Sequence, residues 1–466
     1  MKKYMQLIKN TGLFALASIS TKLISFIFLP LYTAFLTTEE YAIADLSMVM
    51  QSLLWPILSL SLTEGVLRFA LDKEYDKDEV FTNATLLIVP GTVISCFIFL
   101  FVNFNDSLYA YRGYFLAYYI VVSFNTYLSV VCRTIDKIKL IVSNSILSSL
   151  LIAVCNLLFL TKFGMGVKGY FGALIIGNGV SALRYFFAGD IRTHFKLSAW
   201  NRKLIKQILI YSIPMIPNTI FWWINSSLDK ICLTSMVGLT AVGLYSVADK
   251  VSSALSLCTN VFNQAWSISA VKQYKEQDSE AFFSNIFNIY NTVLSILAAV
   301  LLVMTKYIAK IMFANDFYEA WVYVPFLVIA FYFNGLNVYY GTIFTTNKKT
   351  GLIFWTTGIG AVFNIVFNIL LINYVGTIGA AIATAFSNYV VYQVRCIWAR
   401  QYISIRSFPI RNIITIVGLT VLCIATVLEL QLVIICSFLI VMVLAIFTGY
   451  KYVGMVKKLR NAKGER

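Results

Sequence analysis

Histidine is almost absent from this chain, and charged side chains are scarce. One histidine, His194, stands among 466 residues, and Asp, Glu, Lys and Arg together make up 12%. A soluble globular protein carries about 25% charged residues. One histidine in a basic loop, with scattered cysteines, supplies neither a Ser-His-Asp triad nor a His/Cys metal cluster. We therefore expect no catalytic residues and no metal site.

Three other absences narrow the function. The eight cysteines stand singly, with no CxxC pair, and most lie in apolar runs, which argues against a disulfide framework. No GxxxxGK[ST] loop is present, so no ATPase is built in. The longest predicted outside loop, 306–320, is short for an enzyme that must hold a sugar acceptor. The chain is not expected to be an enzyme or to need a cofactor.

Long apolar runs are what the chain has in abundance. Hydrophobic residues make up 59% and the mean hydropathy is +0.78. Runs such as Leu140–Leu160 are unbroken, whereas barrel strands would alternate polar and apolar residues. About 20 such residues span a bilayer as a helix. The prediction is an all-α integral membrane protein with about fourteen transmembrane helices. Their predicted limits are 11–36, 41–69, 80–102, 113–132, 140–161, 167–188, 207–236, 240–270, 283–305, 321–345, 351–373, 377–398, 412–429 and 431–450.

The basic residues predict an orientation. With the N-terminus in the cytoplasm, 29 of the 37 Lys and Arg fall in inside segments and their margins. Five fall outside and three, Lys22, Lys230 and Lys250, lie within spans. Cytoplasmic loops collect Lys and Arg. The net charge of +16 is therefore interpreted as a topology signal and not as a nucleic-acid surface. We expect a multi-pass protein of the bacterial cytoplasmic membrane, with both termini cytoplasmic.

Weak internal repetition suggests a duplicated bundle. Tyr41–Asp45 (YAIAD) is similar to Tyr245–Asp249 (YSVAD). Asn178 and Asn388 follow a glycine and an alanine at equal spacing, as the two copies of one helix would. The predicted domains are an N-terminal six-helix lobe, a basic cytoplasmic linker, a C-terminal six-helix lobe, two added helices and a basic cytoplasmic tail. Their limits are 1–190, 191–206, 207–411, 412–450 and 451–466.

Charges inside the spans cluster in the first two helices of each predicted half. A charge at a helix centre costs about 2.5–3.5 kcal/mol on insertion scales, so such residues are expected to face a wet cavity or one another. The clustering predicts a polar central cavity lined by the first, second, seventh and eighth helices, where the two lobes meet. The residues are Lys22, Asp45, Glu64, Asp229, Lys230, Asp249 and Lys250.

A purely local structural role stays open for several of these residues. Glu64 and Arg68 are four apart and could form a structural ion pair. Asp45 and Asp249 lie near helix starts, where a carboxylate complements the helix dipole. Three prolines, Pro56, Pro214 and Pro217, interrupt predicted helices and are either hinges or static kinks.

The opening residues resemble polysaccharide exporters. The segments Leu23–Thr33 (LISFIFLPLYT), Leu36–Tyr41 (LTTEEY) and Ser59–Phe69 (SLSLTEGVLRF) look like those of Wzx-type flippases of the multidrug/oligosaccharidyl-lipid/polysaccharide exporter superfamily. The similarity extends to Tyr245–Asp249 and to Asn368 with the Gly379-Ala-Ala motif. Ala42 departs from it, since the family often has Gly there.

This resemblance implies two lobes around a V-shaped cavity that work by alternating access. It implies a substrate of undecaprenyl pyrophosphate carrying an oligosaccharide repeat, for O-antigen, capsule or exopolysaccharide synthesis. Cavity cations would hold the pyrophosphate, namely Lys22, Arg68, Lys230 and Lys250. Carboxylates would couple transport to ions or protons, namely Asp45, Glu64, Asp229 and Asp249. Expected partners are membrane lipids, the lipid-linked oligosaccharide and polymerase machinery, without nucleic acid.

Alternative functions remain. A cation-coupled multidrug extruder or a lipid II flippase belongs to the same superfamily. A membrane-bound sugar polymerase or ligase is the alternative from another class, although no large outside loop supports it.

Overall fold

A computed structural model of the protein describes residues 22–72, 74–101, 109–274, 276–405 and 409–464. Within these ranges the chain is helical and contains no strand. Its longer α-helices are numbered along the chain. They are α1 (Lys22–Phe35), α2 (Thr38–Leu58), α3 (Leu62–Ala70), α4 (Lys77–Phe101), α5 (Arg112–Thr134), α6 (Ile138–Leu157), α7 (Gly166–Ala188), α8 (Arg202–Ser212), α9 (Ile216–Met236), α10 (Leu239–Ser252), α11 (Ala254–Gln273), α12 (Ser279–Met312), α13 (Val324–Thr346), α14 (Thr350–Val375), α15 (Thr377–Ala399), α16 (Pro409–Val427) and α17 (Gln431–Gly464).

Eleven helical stretches of the described chain are long and apolar enough to cross a membrane. They coincide with eleven of the fourteen predicted spans, and the all-α membrane fold is confirmed. The other three predicted spans are also helical. The first predicted span corresponds to the short helix α1, and residues 11–21 of that span lie outside the described chain. The eighth is divided into α10 and α11, and the twelfth is α15, which carries several polar side chains.

The second predicted span is not one helix, and this part of the prediction is wrong. It ends at Leu58 and resumes as α3, because Leu60 and Ser61 adopt positive φ angles of 53° and 51°. Pro56 lies inside α2, one helical turn before this break, and its missing N–H would have bonded to the carbonyl of Ser52, so it does not by itself end the helix. Its carbonyl accepts from the Ser61 amide at 2.7 Å, which closes the turn.

The prolines of the seventh span also coincide with a break. A 3₁₀ turn, Ile213–Met215, contains Pro214 and separates α8 from α9, and Pro217 lies in the first turn of α9. Proline is tolerated in a first helical turn, where its missing donor would be unsatisfied anyway. The sequence therefore placed this interruption correctly. Whether it serves as a hinge stays a prediction.

The chain divides into two compact units, Met1–Ser227 and Leu228–Arg466. The boundary falls within α9, whereas the predicted lobes are separated by the basic segment 191–206. The division into lobes of six helices stays a prediction. Each unit has its own core. In the first, residues such as Val66, Phe81 and Ile208 are almost fully buried. In the second, Trp266 and Tyr339 stack with centroids 4.8 Å apart.

The basic linker is held against the start of α4 in the first unit. Asp78 contacts His194 at 2.6 Å and Lys196 at 2.5 Å. The hydrogen bond with Asp78 raises the pKa of Lys196. Asn83 donates to the Ala199 carbonyl at 2.9 Å and accepts from the Asn201 amide at 2.9 Å. The linker is therefore a docked segment of the first unit.

Candidate functional site

A buried carboxylate lies at the centre of the second unit. Asp229 of α9 accepts hydrogen bonds from four neutral donors on three other helices. The donors are the Tyr245 hydroxyl at 2.8 Å, the Asn364 and Asn368 amides at 3.1 and 2.6 Å, and the Thr384 hydroxyl at 2.6 Å. We call these five residues the Asp229 cluster. The spacing of Asn364 and Asn368, which are one turn apart on α14, places two of the four donors on the same face of that helix.

The Asp229 cluster is shielded from solvent, and none of its five residues is a cation. Asp229 is 3% exposed, Asn364 1% and Asn368 0%. Among the described residues Asp229 makes no ion pair, although a buried charge is costly unless it is paired. Four hydrogen bonds lower that cost without supplying a positive charge. The electrostatics of the cluster therefore favour a bound cation or a proton.

The chemistry of the donor set fits a hard cation. An asparagine side chain can turn either its nitrogen or its oxygen toward a neighbour. The same asparagines that donate to a bare carboxylate can therefore ligate a cation beside it. Asn368 Oδ1 is buried and has no hydrogen-bond partner among the described residues. Carboxylate, amide and hydroxyl oxygens are hard ligands, and the described chain contains no group of three His, Cys, Asp or Glu that would suit a transition metal.

The predicted cavity cations of the second unit lie nearby along the chain. Lys230 follows Asp229 directly but points elsewhere, and its ammonium lies 3.7 Å from the Asp249 carboxylate of α10. The Lys230 side chain is 8% exposed and that of Asp249 29%. Lys250 is half-buried. Asp249 therefore partly neutralises Lys230, and Asp229 and Asp249 occupy different environments.

The predicted site residues of the first unit lie on three different helices. Asp45 is 3% exposed on α2 and lies close enough to Tyr118 and Tyr170 to interact with them electrostatically. Lys22 is exposed on α1. Glu64 and Arg68 are exposed on α3, which is a separate helix from α2. The structure therefore does not place Glu64 and Arg68 on the same helix as Asp45.

The predicted ion pair between Glu64 and Arg68 is not formed. Arg68 instead contacts Asp72 at 3.0 Å. Both acids are four residues from Arg68, but Arg68 lies in the last turn of α3, and Asp72 follows the helix end. The Arg68 side chain is 56% exposed, so this surface pair contributes little stability.

The sequence did not reveal Arg395, the most buried arginine described. It was counted with the cations that set topology, yet it lies within α15 and is 5% exposed. Its guanidinium donates to the Thr356 and Thr357 hydroxyls at 3.0 Å each and to the Asn337 carbonyl at 2.8 Å. The one feature of the sequence that could have identified Arg395 as a buried residue is its position inside a predicted span.

The weak sequence repeat corresponds to repeated contacts. Asn125 donates to Asn178 at 3.1 Å between α5 and α7. Asn337 donates to Asn388 at 3.3 Å between α13 and α15. The two glycines also match, because a Cβ on Gly169 or Gly379 would lie within 3 Å of the preceding helix. The same helix pair is thus built twice.

Solved structures share this architecture. The lipid II flippase MurJ, in an inward closed conformation, aligns with a TM-score of 0.70 at 13% identity over 96% of this chain and 99% of that one. A multidrug resistance MATE family transporter of the MOP superfamily, inward-facing, aligns at 0.68 and 16% identity over 83% and 97%. A MOP superfamily transporter from Pyrococcus furiosus aligns at 0.57 and 15% identity over 85% and 94%. The protein is a multi-pass membrane protein with the fold of MOP superfamily transporters.

The sequence comparison identifies the family. Residues 7–268 match the family described as polysaccharide biosynthesis protein. The chain therefore belongs to that family. A membrane protein of Methanocaldococcus jannaschii, MJ1068, described as uncharacterized, is 30% identical over 209 residues. That match spans 41% of this chain and 39% of the relative's length.

Proposed function

We propose that this protein translocates undecaprenyl-pyrophosphate-linked oligosaccharide repeat units across the bacterial cytoplasmic membrane by alternating access. The repeats would serve O-antigen, capsule or exopolysaccharide synthesis. Membership of the polysaccharide biosynthesis family carries the proposal. The similarity to a lipid II flippase over nearly the whole chain supports it, since that protein also handles a lipid-linked substrate.

The Asp229 cluster would couple transport to a cation or proton gradient. When a cation or a proton binds to a buried carboxylate whose partners are all neutral, the local electrostatic energy changes strongly. Lys22 and Arg68 of the first unit, and Lys230 and Lys250 of the second, would attract the pyrophosphate. The partial neutralisation of Lys230 by Asp249 would keep binding at Lys230 reversible. A substrate that binds too tightly to one state would not be released in the other.

A deletion of the gene in its native host tests the proposal. We expect loss of one surface polysaccharide, with its lipid-linked repeat accumulating on the cytoplasmic side. Expression of the full chain from a plasmid should restore both. A normal glycan profile with a changed drug tolerance would instead favour a multidrug extruder, which the MATE-like fold also accommodates. Accumulation of repeats on the outer side would indicate a polymerase or ligase.

A further inference from the structure

A polar cavity lies within the first unit, between α5, α6 and α7. Its volume is about 380 Å³, which is the scale of small-molecule sites. Serine, threonine and asparagine side chains dominate its wall, with one arginine, Arg133. Such a wall is unusual inside a membrane protein, where polar side chains are expensive and mark functional paths.

Three helices each present one polar face to this cavity. Asn125, Ser129 and Arg133 are four residues apart along α5, so they share a face. Ser145 and Ser149 repeat the spacing on α6. On α7 the wall residues are spaced by three and four. They are Asn178, Ser181 and Tyr185.

The serine hydroxyls of α6 donate hydrogen bonds to backbone carbonyls. Ser145 donates to Ile141 O at 2.9 Å, Ser149 to Ser145 O at 2.9 Å and Ser148 to Gly177 O at 3.0 Å. A hydroxyl has one donor and two acceptor lone pairs. Once the proton is used, the oxygen is left as an acceptor. This wall of the cavity is therefore rich in acceptors and suits a ligand that brings its own donors.

The second unit shows what fills the equivalent space there. Seven residues after Asn178 stands Tyr185, and seven after its counterpart Asn388 stands Arg395. The Arg395 guanidinium, with many donors, is held by two threonine hydroxyls and a carbonyl. One copy of the repeat thus surrounds a guanidinium with hydroxyl and carbonyl acceptors, whereas the other has the buried Tyr185, with a single hydroxyl proton, beside a serine-rich cavity.

Arg133 decides between two kinds of donor-rich ligand. It stands one turn beyond Ser129, in the last turn of α5, and is exposed. A positive charge at the cavity repels an organic cation. It does not repel a neutral ligand rich in hydroxyl groups, whose protons match the acceptors of the wall. A sugar residue has this chemistry.

We infer that this cavity is a sugar-binding subsite that receives the first residues of the lipid-linked oligosaccharide by their hydroxyl groups. The inference rests on the proposed function and adds to it a recognition site within one unit. The oligosaccharide is selected at the wall formed by Ser145, Ser148 and Ser149 of α6, while the lipid and pyrophosphate are held elsewhere.

Cysteine protection in the full-length protein tests the subsite. Ser149→Cys is placed in the cavity wall, and the wild-type chain gives the background from its eight native cysteines. The protein is labelled with a maleimide in the presence of one of two protecting ligands. The first probe is the lipid-linked oligosaccharide extracted from the host, and the second is undecaprenyl pyrophosphate without sugar. We expect the first probe to slow labelling of Ser149→Cys about tenfold, and the second to leave it unchanged.

Binding of both probes to the purified protein is measured in parallel by native mass spectrometry. Equal protection by the two probes would overturn the sugar subsite. So would the absence of protection by a sugar-bearing probe that does bind, and in that case the proposed function would stand. If neither probe binds, the proposed function fails and takes the subsite with it.

Two further variants test the subsite by binding measurements alone, without cysteine labelling. Ser149→Leu fills the cavity, and Ser143→Leu introduces the same side chain on the exposed face of α6, where Ser143 bonds only to Leu140 O at 3.1 Å. We expect Ser149→Leu to weaken binding of the sugar-bearing probe about tenfold and to leave binding of undecaprenyl pyrophosphate unchanged. Ser143→Leu should change neither. Equal effects of the two variants would contradict the subsite.

Discussion

The amide nitrogen of Asn368 lies 2.6 Å from the carboxylate of Asp229, and both residues are buried. Asn156 lies on α6, the helix before that of Asn178, as Asn368 lies on α14, the helix before that of Asn388, and we take the two as counterparts in the repeat. Asn156 donates at 3.2 Å to the hydroxyl of Tyr32. The two copies thus use one asparagine differently. In the first unit it meets a neutral phenol, and in the second it meets a charge. The ability to hold a cation is therefore expected in the second unit.

Asp229→Asn should reduce transport while leaving the protein folded. The amide has the size of the carboxylate and can still hydrogen-bond, but it lacks the charge that attracts a cation. Coupling between two bound ligands usually changes affinity about 5–150-fold, so we expect the effect of the cation on substrate affinity to fall by a factor in that range and transport to slow with it. Flipping of lipid-linked oligosaccharide in proteoliposomes, with and without an imposed cation gradient, measures it.

Two controls separate coupling from general damage. Asp249→Asn removes the more exposed carboxylate and should cost less. On α14, Asn368→Ala should impair transport, whereas Asn373→Ala should not. Asn373 is exposed, and within the described part of the chain its side chain bonds to the Ile369 carbonyl of its own helix alone. An Asp229→Asn protein that transports at the wild-type rate under every gradient would disprove coupling at this site.

Removal of the three lysine charges within the spans should abolish flipping without preventing membrane insertion. The triple variant replaces Lys22, Lys230 and Lys250 by methionine, which keeps side-chain length. The pyrophosphate then loses three of the four cations proposed to attract it in a region of low dielectric constant. The measurements are proteoliposome flipping and the amount of protein in the membrane fraction. Full activity of the triple variant would end the role proposed for these cations.

Some of this site could be predicted from the sequence, for a physical reason. Charge inside a membrane span is rare and costly, so Asp229 and Lys230 stand out in a hydrophobic helix. Tyr245 and Asn368 belong to segments that carry the family resemblance, but nothing in the sequence marks them as partners of Asp229. Asn364 and Thr384 are ordinary polar residues more than a hundred positions away. Only folding brings α9, α14 and α15 together. The sequence therefore predicts the carboxylate but not the number or kind of its donors.

Helix breaks were predicted where a local cause exists and missed where it does not. Pro214 marks the end of α8, since proline lacks a backbone donor. The break between α10 and α11 at Ser253 has no such marker. There the Ser252 hydroxyl donates to Val324 O at 3.2 Å, a contact with a residue far along the chain. Arg395 was missed for the same reason, because its acceptors lie on other helices.

Arg395→Ala should destabilise the second unit. The change leaves a cavity and removes the three hydrogen bonds of the guanidinium, and a lost hydrogen bond to a charged group costs about 1.5–3 kcal/mol. We expect a lower midpoint of thermal unfolding in detergent, with partial recovery in Arg395→Lys. Arg400→Ala, at an exposed position just after α15, is the matched control and should unfold like the wild type. Equal midpoints for Arg395→Ala and Arg400→Ala would contradict a structural role.

Asn83→Ala should release the basic linker from α4. Asn83 is fully buried and bonds to both Ala199 and Asn201, so its loss removes two contacts that salt does not screen. Trypsin should then cleave after Arg192 or Lys196 several times faster. Thr85→Val is the control on the same helix, because its hydroxyl bonds to Phe81 and Tyr127 instead. Unchanged cleavage of Asn83→Ala would show that the surface ion pairs of Asp78 suffice to hold the linker.

Pro214→Ala tests whether the break between α8 and α9 is a hinge or a static kink. Alanine supplies the missing backbone donor and allows a continuous helix, which stiffens this point. If the chain bends here during alternating access, transport should slow several-fold while the unfolding temperature stays the same or rises. Pro325→Ala is the matched control, because Pro325 begins α13, where no donor is needed. Wild-type transport by Pro214→Ala, with a raised unfolding temperature, would identify a kink that the structure tolerates and does not use.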